Sequence, residues 1–272
     1  MAGIYACEVK SREEIAGGVF LMGLHCPEIT GSASPGQFVG VGTGSAESPL
    51  RRPFSVCSAD APSGTLTIGF QVKGKGTGLI AAMPVGSRVS VMGPLGNGFD
   101  LGRRYGKVAV VGGGVGVFPL IFLLSVICAD ERHAYMGFRD SGSAVMLEEA
   151  GINSESLHVS TEDGSLGSKG FVTARFGEEL ARLGELGPDG APAYEAAFVC
   201  GPRPMIEAAA MACRRGGVRC QASVEERMAC GFGACLACAC LVFRGGPGPT
   251  YKRVCADGPV FDTDELFPPG YD

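Results

Sequence analysis

Residues 108–128 read VAVVGGGVGVFPLIFLLSVIC, twenty-one positions without a charged side chain. A run of this length can cross a bilayer, but the glycines at 112–114 and 116 and the proline at 119 interrupt it. We therefore interpret it as a strand, Val108–Val111, that leads through a glycine turn into a short buried helix ending near Ala129. A strand, a glycine turn and a helix in this order are typical of α/β domains that bind a nucleotide phosphate.

Strand and helix patterns alternate downstream of this unit. The predicted strands are Ala134–Phe138, Leu157–Thr161 and Ala196–Cys200, and the predicted helices are Ala144–Ala150, Val172–Leu183 and Pro204–Arg215. Glycines and prolines predict a surface loop between about Glu185 and Tyr194. The alternation predicts a doubly wound parallel sheet.

The residues before this α/β part form short apolar or alternating runs bounded by Gly, Pro and Ser. These runs are Ile4–Val9, Val19–Leu24, Gln37–Val41, Thr65–Gln71 and Arg88–Met92. Several short strands at this spacing predict a barrel or a sandwich.

A cysteine-rich segment follows the α/β part, and residues 226–259 read ERMACGFGACLACACLVFRGGPGPTYKRVCADGP. The spacing Cys230-x4-Cys235-x2-Cys238, with Cys255 further on, is that of plant-type ferredoxins, in which four thiolates hold a [2Fe–2S] cluster. Zinc sites favour separated Cys-x2-Cys pairs, which fits three crowded thiols and one distant thiol less well. The choice between Cys238 and Cys240 stays open, although the x2 spacing favours Cys238.

The other seven cysteines show no ligand spacing, and most are interpreted as ordinary buried thiols. They are Cys7, Cys26, Cys57, Cys128, Cys200, Cys213 and Cys220. A disulfide framework does not suit 272 residues with an ample core and no recognisable secretory signal, so a cytoplasmic location is expected. The formal net charge of −5 gives no basic footprint. Nucleic acid is therefore not an expected partner. A membrane is not expected either, because the uncharged stretch is interpreted as a strand, a turn and a helix.

Two motifs in the β part are candidates for binding a nucleotide. In Arg51–Val56, an arginine beside a proline can pair with a diphosphate, while an aromatic ring and a hydroxyl can contact a ring system. In Gly69–Gly78, the glycines expose backbone N–H groups suited to phosphate. The alternatives are a solvated arginine pair on a strand and a flexible Gly/Lys hairpin.

The α/β part carries four further candidates. The turn Gly112–Gly116 departs from a strict G-x-G-x-x-G because Val117 occupies the third glycine position. Arg139, after the second strand, can favour a 2′-phosphate or stack on adenine. The segment 161–165 can bind a ribose or be a plain loop. Cys200, in Cys200-Gly201-Pro202, can contact a nicotinamide ring or be a core thiol.

Taken in order, RRPFS, GKGTG, GGGVGVFPL, STEDGS, CGPRPM and the cysteine segment resemble the ferredoxin-reductase superfamily. With VEERMACGFGACLACAC and RVCADGPVF, the chain resembles the electron-transfer (iron–sulfur flavoprotein) subunits of NAD-dependent, class 1B dihydroorotate dehydrogenases. The resemblance covers nearly the whole chain and implies a multi-domain β plus α/β fold. Its parts are an antiparallel FAD-binding β-barrel at 1–101, a doubly wound NAD-binding sheet at 102–220 and a small [2Fe–2S] domain at 221–272.

The resemblance also assigns cofactor sites, and it implies no catalytic residue on this chain. FAD is assigned to Arg52, Pro53, Phe54, Ser55, Gly69, Phe70, Gln71, Gly76 and Thr77, with Arg51 as a second arginine beside the site. NAD is assigned to Gly112, Gly113, Gly114, Gly116, Cys200, Gly201 and Pro202. The [2Fe–2S] cluster is assigned to Cys230, Cys235, Cys238 and Cys255.

The function implied by the resemblance is that of an oxidoreductase subunit in pyrimidine biosynthesis. Electrons would come from the FMN of a catalytic dihydroorotate dehydrogenase subunit and pass through the cluster and FAD to NAD⁺, in a heterotetramer of two plus two subunits. Two other functions stay open. One is the flavin/[2Fe–2S] subunit of an NAD(P)H:ferredoxin or sulfide-linked oxidoreductase, and the other is a redox sensor or zinc-stabilised interaction module.

Overall fold

The computed structural model describes residues 2–153, 155–186, 192–243 and 248–270. The first six strands are β1 Gly3–Ala16, β2 Val19–His25, β3 Phe38–Val41, β4 Arg52–Asp60, β5 Thr65–Gln71 and β6 Arg88–Leu95. They form a closed antiparallel barrel in the order β1-β2-β5-β4-β3-β6. Two short helices, α1 Pro27–Thr30 and α2 Lys75–Ala81, lie between strands. The barrel is therefore confirmed over the sandwich.

Side-chain alternation along the strands fills the barrel interior. Val56 of β4 and Leu66 and Ile68 of β5 are fully buried, as the period of two in a strand requires. The interpretation of Cys7 and Cys26 as thiols is wrong, since the two are joined in a disulfide with Cα atoms 5.1 Å apart. Antiparallel pairing of β1 with β2 brings these residues together, and their separation of 19 in the sequence does not reveal that contact.

The second sheet contains the predicted parallel strands. Its members are β7 Tyr105–Gly113, β8 Ala129–Phe138, β9 Leu157–Thr161, β10 Ser168–Lys169, β11 Ala196–Cys200, β12 Arg219–Ser223 and β15 Val260–Asp262, in the order β10-β9-β8-β7-β11-β12-β15. The pairs from β10 to β12 are parallel. From β7, the strands that follow in the chain are added first on one side of the sheet (β8, β9, β10) and then on the other (β11, β12), so the strand order reverses between β7 and β11. In open α/β sheets, ligands bind at such a switch point, outside the carboxyl ends of the strands.

Three helices cover this sheet: α3 Val117–Val126, α4 Val172–Leu186 and α5 Arg203–Arg215. The uncharged stretch divides as predicted, because β7 leads through a 3₁₀ turn at Gly114–Gly116 into α3. Helix α3 ends at Val126 rather than near Ala129, since Ala129 already begins β8. Residues 117–124 of α3 are all buried. None of the described helices is long and apolar enough to cross a membrane.

The predicted helix at Ala144–Ala150 is wrong. The chain instead forms a 3₁₀ turn at Ser141–Ser143, in which the Asp140 side chain accepts from the Ser143 N–H at 2.9 Å. Met146 then takes a positive φ of 62°, which a helix does not permit. The middle of the predicted loop at 185–194, residues 187–191, lies outside the described residues.

The C-terminal part adds a two-stranded sheet of β13 Ala239–Val242 and β14 Thr250–Arg253, and a short helix α6 Thr263–Leu266. The chain divides into two compact units. The first contains residues 1–98, 225–240 and 252–260, and the second contains residues 99–224, 241–251 and 261–272. The division into three cofactor domains at 101 and 220 stays a prediction.

Candidate cofactor sites

The four predicted cluster cysteines lie in the first unit and approach one another. The Cys230 N–H contacts Cys235 Sγ at 3.5 Å, and the Cys235 N–H contacts Cys230 Sγ at 3.4 Å. The Cys255 N–H contacts Cys238 Sγ at 3.4 Å. The backbone of Gly233, which lies between Cys230 and Cys235, also forms a hydrogen bond with the Cys255 sulfur. The structure thus brings four sulfurs together in two pairs.

The two pairs differ in exposure and in acidity. Cys238 and Cys255 are buried, and burial, with the Cys238 thiol as hydrogen-bond partner, raises the pKa of Cys255 to about 12. Burial opposes ionisation of Cys230 too, but backbone N–H groups of Phe232, Cys235 and Ala234 lower its pKa to about 6. A cluster binds thiolates, so binding has to remove a tightly held proton from Cys255. At Cys230 the proton is held much more weakly.

Tight backbone turns shape the segment between these cysteines. Gly231 and Gly233 have φ of +78° and +92°, and Leu236 has φ of +60°. A Cβ on Gly233 would lie 2.9 Å from Ala256 Cβ. Residue 233 therefore has to be glycine for two reasons. Side chains are rarely tolerated at positive φ, and Ala256 leaves no room for a Cβ.

Arg253 fastens the same segment. Its Nη1 donates to the Gly233 carbonyl at 3.0 Å, and its Nε and Nη2 donate to the Asp257 carboxylate at 3.0 and 3.1 Å. The guanidinium and its backbone N–H together hold the pKa of Asp257 below its usual range. A bidentate arginine–carboxylate pair of this kind fixes geometry as well as charge.

The cluster segment rests on the end of barrel strand β6. The Asn97 amide donates to the carbonyls of Ala256 and Asp257 at 3.3 and 3.1 Å. A Cβ on Gly96, which has φ of +72°, would lie 2.5 Å from Pro259 Cδ. The Gly-Asn-Gly pattern at 96–98 indicates only a turn, and nothing in it indicates a partner 160 residues away.

The donor set fits a [2Fe–2S] cluster. The four thiols lie in two pairs, and backbone N–H groups point at three of the sulfurs, as in sites where hydrogen bonds to sulfur tune the iron. Cys240 lies at a buried position of β13, two residues beyond Cys238. The assignment of Cys238 rather than Cys240 stays a prediction.

The predicted flavin residues meet at one corner of the barrel. A Cβ on Gly76 would lie 2.3 Å from Arg52 Nε, so the arginine of β4 packs directly on the start of α2. Arg52 also donates to the Leu50 carbonyl at 2.6 Å and to Ser48 Oγ at 2.7 Å. These contacts hold a guanidinium beside backbone amides, which suits a diphosphate.

Thr77 and Arg51, which lie near Arg52, each bind other parts of the barrel unit. Thr77 Oγ1 accepts from the N–H groups of Lys73 and Gly74 at 3.0 and 3.2 Å, so it closes the turn before α2. The other arginine, Arg51, donates to the Ser90 carbonyl at 2.8 Å and to Ser90 Oγ at 2.9 Å. Arg51 therefore braces β6, which leaves Arg52 as the candidate anion-binding arginine.

The aromatic candidates point into the barrel. The rings of Phe54 and Phe70 stack with centroids 4.6 Å apart, and both are buried. Pro53 is exposed, Gly69 is buried, and Ser55 and Gln71 are half-buried. Among the predicted flavin side chains that the structure describes, the polar groups of Arg52, Ser55, Gln71 and Thr77 are half-buried and therefore partly accessible to a ligand.

A cavity of about 560 Å³ opens at the carboxyl edge of the parallel sheet in the second unit. Its lining includes Gly113 and Gly114 after β7, Phe138 and Arg139 after β8, Glu162 after β9, Phe171 before α4, and Pro202 and Met205 at the start of α5. This is the switch point of the sheet, and the volume suits part of a dinucleotide.

Close backbone approaches explain the other glycines of this site. A Cβ on Gly116 would lie 2.5 Å from the Cys200 carbonyl oxygen, and one on Gly113 would lie 2.4 Å from Met205 Sδ. Cys200 is buried and, like Gly112, Gly116 and Gly201, is not part of the cavity lining. Of the predicted NAD residues, Gly113, Gly114 and Pro202 line the cavity directly. Met205 is a lining residue that sequence reasoning missed.

The chain is similar to known proteins over its cysteine segment and over most of its length. Residues 225–267 match the iron–sulfur cluster binding domain of dihydroorotate dehydrogenase B. Two relatives are named dihydroorotate dehydrogenase B (NAD(+)), electron transfer subunit. The one from Caldanaerobacter subterraneus subsp. tengcongensis is 40% identical over 86% of this chain and 87% of its own. The one from Desulforamulus reducens is 37% identical over 96% and 97%.

A solved structure shows the same architecture. In the structure of an NADH-dependent reduced ferredoxin-NADP oxidoreductase, a chain of 28% identity superposes with a TM-score of 0.80. The match covers 98% of this chain and 91% of the other.

Proposed function

Because this chain belongs to the family of electron-transfer subunits of NAD⁺-linked dihydroorotate dehydrogenase B, we propose that it passes electrons from a dihydroorotate-oxidising partner to NAD⁺. The observation that carries the proposal is the two pairs of cysteines on a segment held against the barrel. A bound flavin exchanges a hydride with NAD⁺ and single electrons with an iron–sulfur cluster, which is why both groups are needed. The subunit is an oxidoreductase component of pyrimidine biosynthesis.

The residues of the chain supply binding, orientation and exclusion of water. Cys230, Cys235, Cys238 and Cys255 would hold the [2Fe–2S] cluster, with Arg253 and Gly233 fixing the segment that carries them. Arg52, packed on Gly76, would bind the diphosphate of FAD. The second-unit cavity would take the nicotinamide dinucleotide.

The cluster segment also offers a surface for the catalytic partner. Phe232 and Leu236 are 60% and 63% exposed on either side of Cys235, itself exposed. Exposed apolar side chains of this kind mark interaction sites. We infer that this face meets the FMN-containing subunit. The two-plus-two stoichiometry and the cytoplasmic location are predictions.

The test compares Cys235→Ser with Cys128→Ser, which changes an exposed cysteine of the second unit. With the catalytic partner present, Cys235→Ser should abolish dihydroorotate-dependent reduction of NAD⁺ while FAD stays bound. Cys128→Ser should leave both unchanged. Undiminished NAD⁺ reduction by Cys235→Ser would contradict the proposal.

A second candidate is a flavin/[2Fe–2S] subunit of an NAD(P)H:ferredoxin oxidoreductase, which the 28% identical structure favours. The higher identity of the dihydroorotate relatives favours the first proposal. Purifying the native complex separates the two, because an FMN barrel subunit supports the first and a large flavin and iron–sulfur subunit supports the second.

A further inference from the structure

The first cysteine loop, residues 230–235, packs on barrel strand β6. Gly231 follows Cys230 and has φ of +78°. A Cβ on Gly231 would lie 3.3 Å from Met92 Cε and 3.8 Å from Leu95 Cδ1. Both of these β6 side chains are buried. Apolar packing against β6 therefore supports this loop.

The second cysteine loop, residues 253–258, is held on the same strand by hydrogen bonds from Asn97, just beyond the end of β6. The Asn97 amide donates to the carbonyls of Ala256 and Asp257 at 3.3 and 3.1 Å. Its backbone N–H donates to the Gly258 carbonyl at 2.6 Å. These three carbonyls directly follow Cys255 in the chain, so Asn97 limits where that cysteine can lie. The Asn97 side chain is exposed, and replacing it leaves the barrel core intact.

The two cysteine loops are also joined to each other, independently of Asn97. Arg253 donates from Nη1 to the Gly233 carbonyl, and from Nε and Nη2 to the Asp257 carboxylate. Gly233 belongs to the first loop and Asp257 to the second. Removing the Asn97 amide would therefore free the second loop from the barrel without separating the cysteine pairs.

Strand β6 lies near the strand that carries the flavin motif. It pairs with β3, and β3 pairs with β4, so that Leu95 is opposite Phe38 and Phe38 is opposite Ser55. Ser55 and Pro53 of β4 are predicted flavin residues. Neighbouring strands are about 4.8 Å apart, which places β6 about 10 Å from β4 along the barrel wall. A loop fixed on β6 is therefore held at a defined distance from a flavin bound at β4.

We propose that Asn97 is a positioning residue for electron transfer within this chain. Its amide fixes the second cysteine loop on β6, and this contact sets the distance between the cluster site and the flavin site. The inference rests on the proposed function and deepens it. Asn97 is assigned to neither cofactor, since the cysteines would hold the cluster and Arg52 would bind the FAD diphosphate. Loss of its amide therefore slows the passage of electrons between the two sites and leaves both cofactors bound.

The experiment follows the full chain, loaded with FAD and cluster, after rapid mixing with NADH. Hydride transfer from NADH reduces FAD, and the reduced flavin then gives one electron to the oxidised cluster and keeps the other. Bleaching of the flavin and of the cluster are recorded as separate phases of the visible absorbance. Asn97→Ala should leave the flavin phase unchanged. It should slow the cluster phase by about tenfold or more, because a displacement of about 1 Å can cost a rate about two orders of magnitude.

A second variant tests whether the amide donors themselves matter, and a third is the matched control. Asn97→Asp keeps the shape of the side chain but has no donor, and its carboxylate would face two carbonyls. It should slow the cluster phase at least as much as Asn97→Ala. Asn153→Ala changes the only other asparagine of the chain, whose side chain accepts from the Ser156 N–H at 3.0 Å. This control should change neither phase.

Hydrogen exchange gives a readout that does not depend on electron transfer. Amide exchange of the loaded chain is compared over the second cysteine loop and over β4. Asn97→Ala should speed exchange in the second cysteine loop by about fivefold or more, because two hydrogen bonds are lost, and should leave β4 unchanged. Iron, acid-labile sulfide and FAD per chain should stay at their wild-type values.

Each outcome decides for or against the proposal. Equal cluster phases in the wild type and Asn97→Ala, or unchanged exchange in the second cysteine loop, would overturn it. A wild-type cluster phase in Asn97→Asp would also overturn it, because packing alone would then explain the contact. Loss of the cluster from Asn97→Ala would make Asn97 part of the site that holds the cluster, again against the proposal. A wild-type chain in which NADH reduces FAD but never the cluster contradicts the proposed function instead.

Discussion

Replacing Gly233 with alanine tests whether the backbone around the cysteines is built for a cluster. Gly233 has φ of +92°, and its new Cβ would lie 2.9 Å from Ala256 Cβ. Holding an L-residue at positive φ costs about 1–2 kcal/mol, and overpacking a close contact costs about 1–3 kcal/mol. Gly233→Ala should therefore lower the stability of the cluster segment by about 2–5 kcal/mol.

Two further variants divide this cost into its parts. Gly44 also has a positive φ, +71°, but nothing lies within 4 Å of its would-be Cβ. Gly44→Ala should therefore cost only the backbone part, about 1–2 kcal/mol. Adding Ala256→Gly to Gly233→Ala removes the opposing methyl group. The double variant should recover the overpacking part.

The assay measures iron and acid-labile sulfide per bound FAD, together with the urea midpoint of unfolding. Gly233→Ala should lose most of its cluster, Gly44→Ala should keep it, and the double variant should recover part of it. A Gly233→Ala chain with full cluster content and the same midpoint as Gly44→Ala would refute the reasoning.

Three other predictions address the cysteines, the flavin and the pH dependence. Cys238→Ser should remove the cluster signal from the visible spectrum while Cys240→Ser keeps it, and the reverse result would move the ligand to Cys240. Gly76→Ala should displace the Arg52 guanidinium and weaken FAD binding about tenfold or more, measured by flavin release on dilution, because charge-assisted hydrogen bonds are lost. Burial, then Lys107, lowers the pKa of His133, so folding favours its neutral form and stability should fall as the pH drops below about 6.5. His133→Gln should flatten the urea midpoint between about pH 7 and 5, and an unchanged slope would assign the acid sensitivity to other groups.

Local patterns predict most of the scaffold because they act over a few residues. The uncharged stretch at 108–128 folds as strand, turn and helix, since glycines and a proline interrupt it and most of its apolar residues are buried. The spacing of the cysteines likewise places Cys230 close to Cys235, because the two are near neighbours in the chain. The assignment of all four cysteines to one cluster stays a prediction.

Contacts between residues far apart in the chain cannot be predicted from local sequence patterns. Asn97 holds the cluster segment through carbonyls 159 and 160 residues away, and an asparagine between two glycines indicates only a turn. The pairing of Cys7 with Cys26 depends on the register of two strands. Arg51 and Arg52 look equivalent in the sequence, but Arg51 is bonded to Ser90 on β6, whereas Arg52 packs on Gly76 at the start of α2.

The most direct test of electron transfer uses the chain reconstituted with the FMN-containing dihydroorotate dehydrogenase subunit of the same organism. The measurement is NADH formation from dihydroorotate and NAD⁺ by the complex, by each subunit alone, and by the complex carrying Cys235→Ser. The account predicts sustained turnover in the wild-type complex only. NADH formation from dihydroorotate by this chain alone, or undiminished turnover in the Cys235→Ser complex, would contradict it.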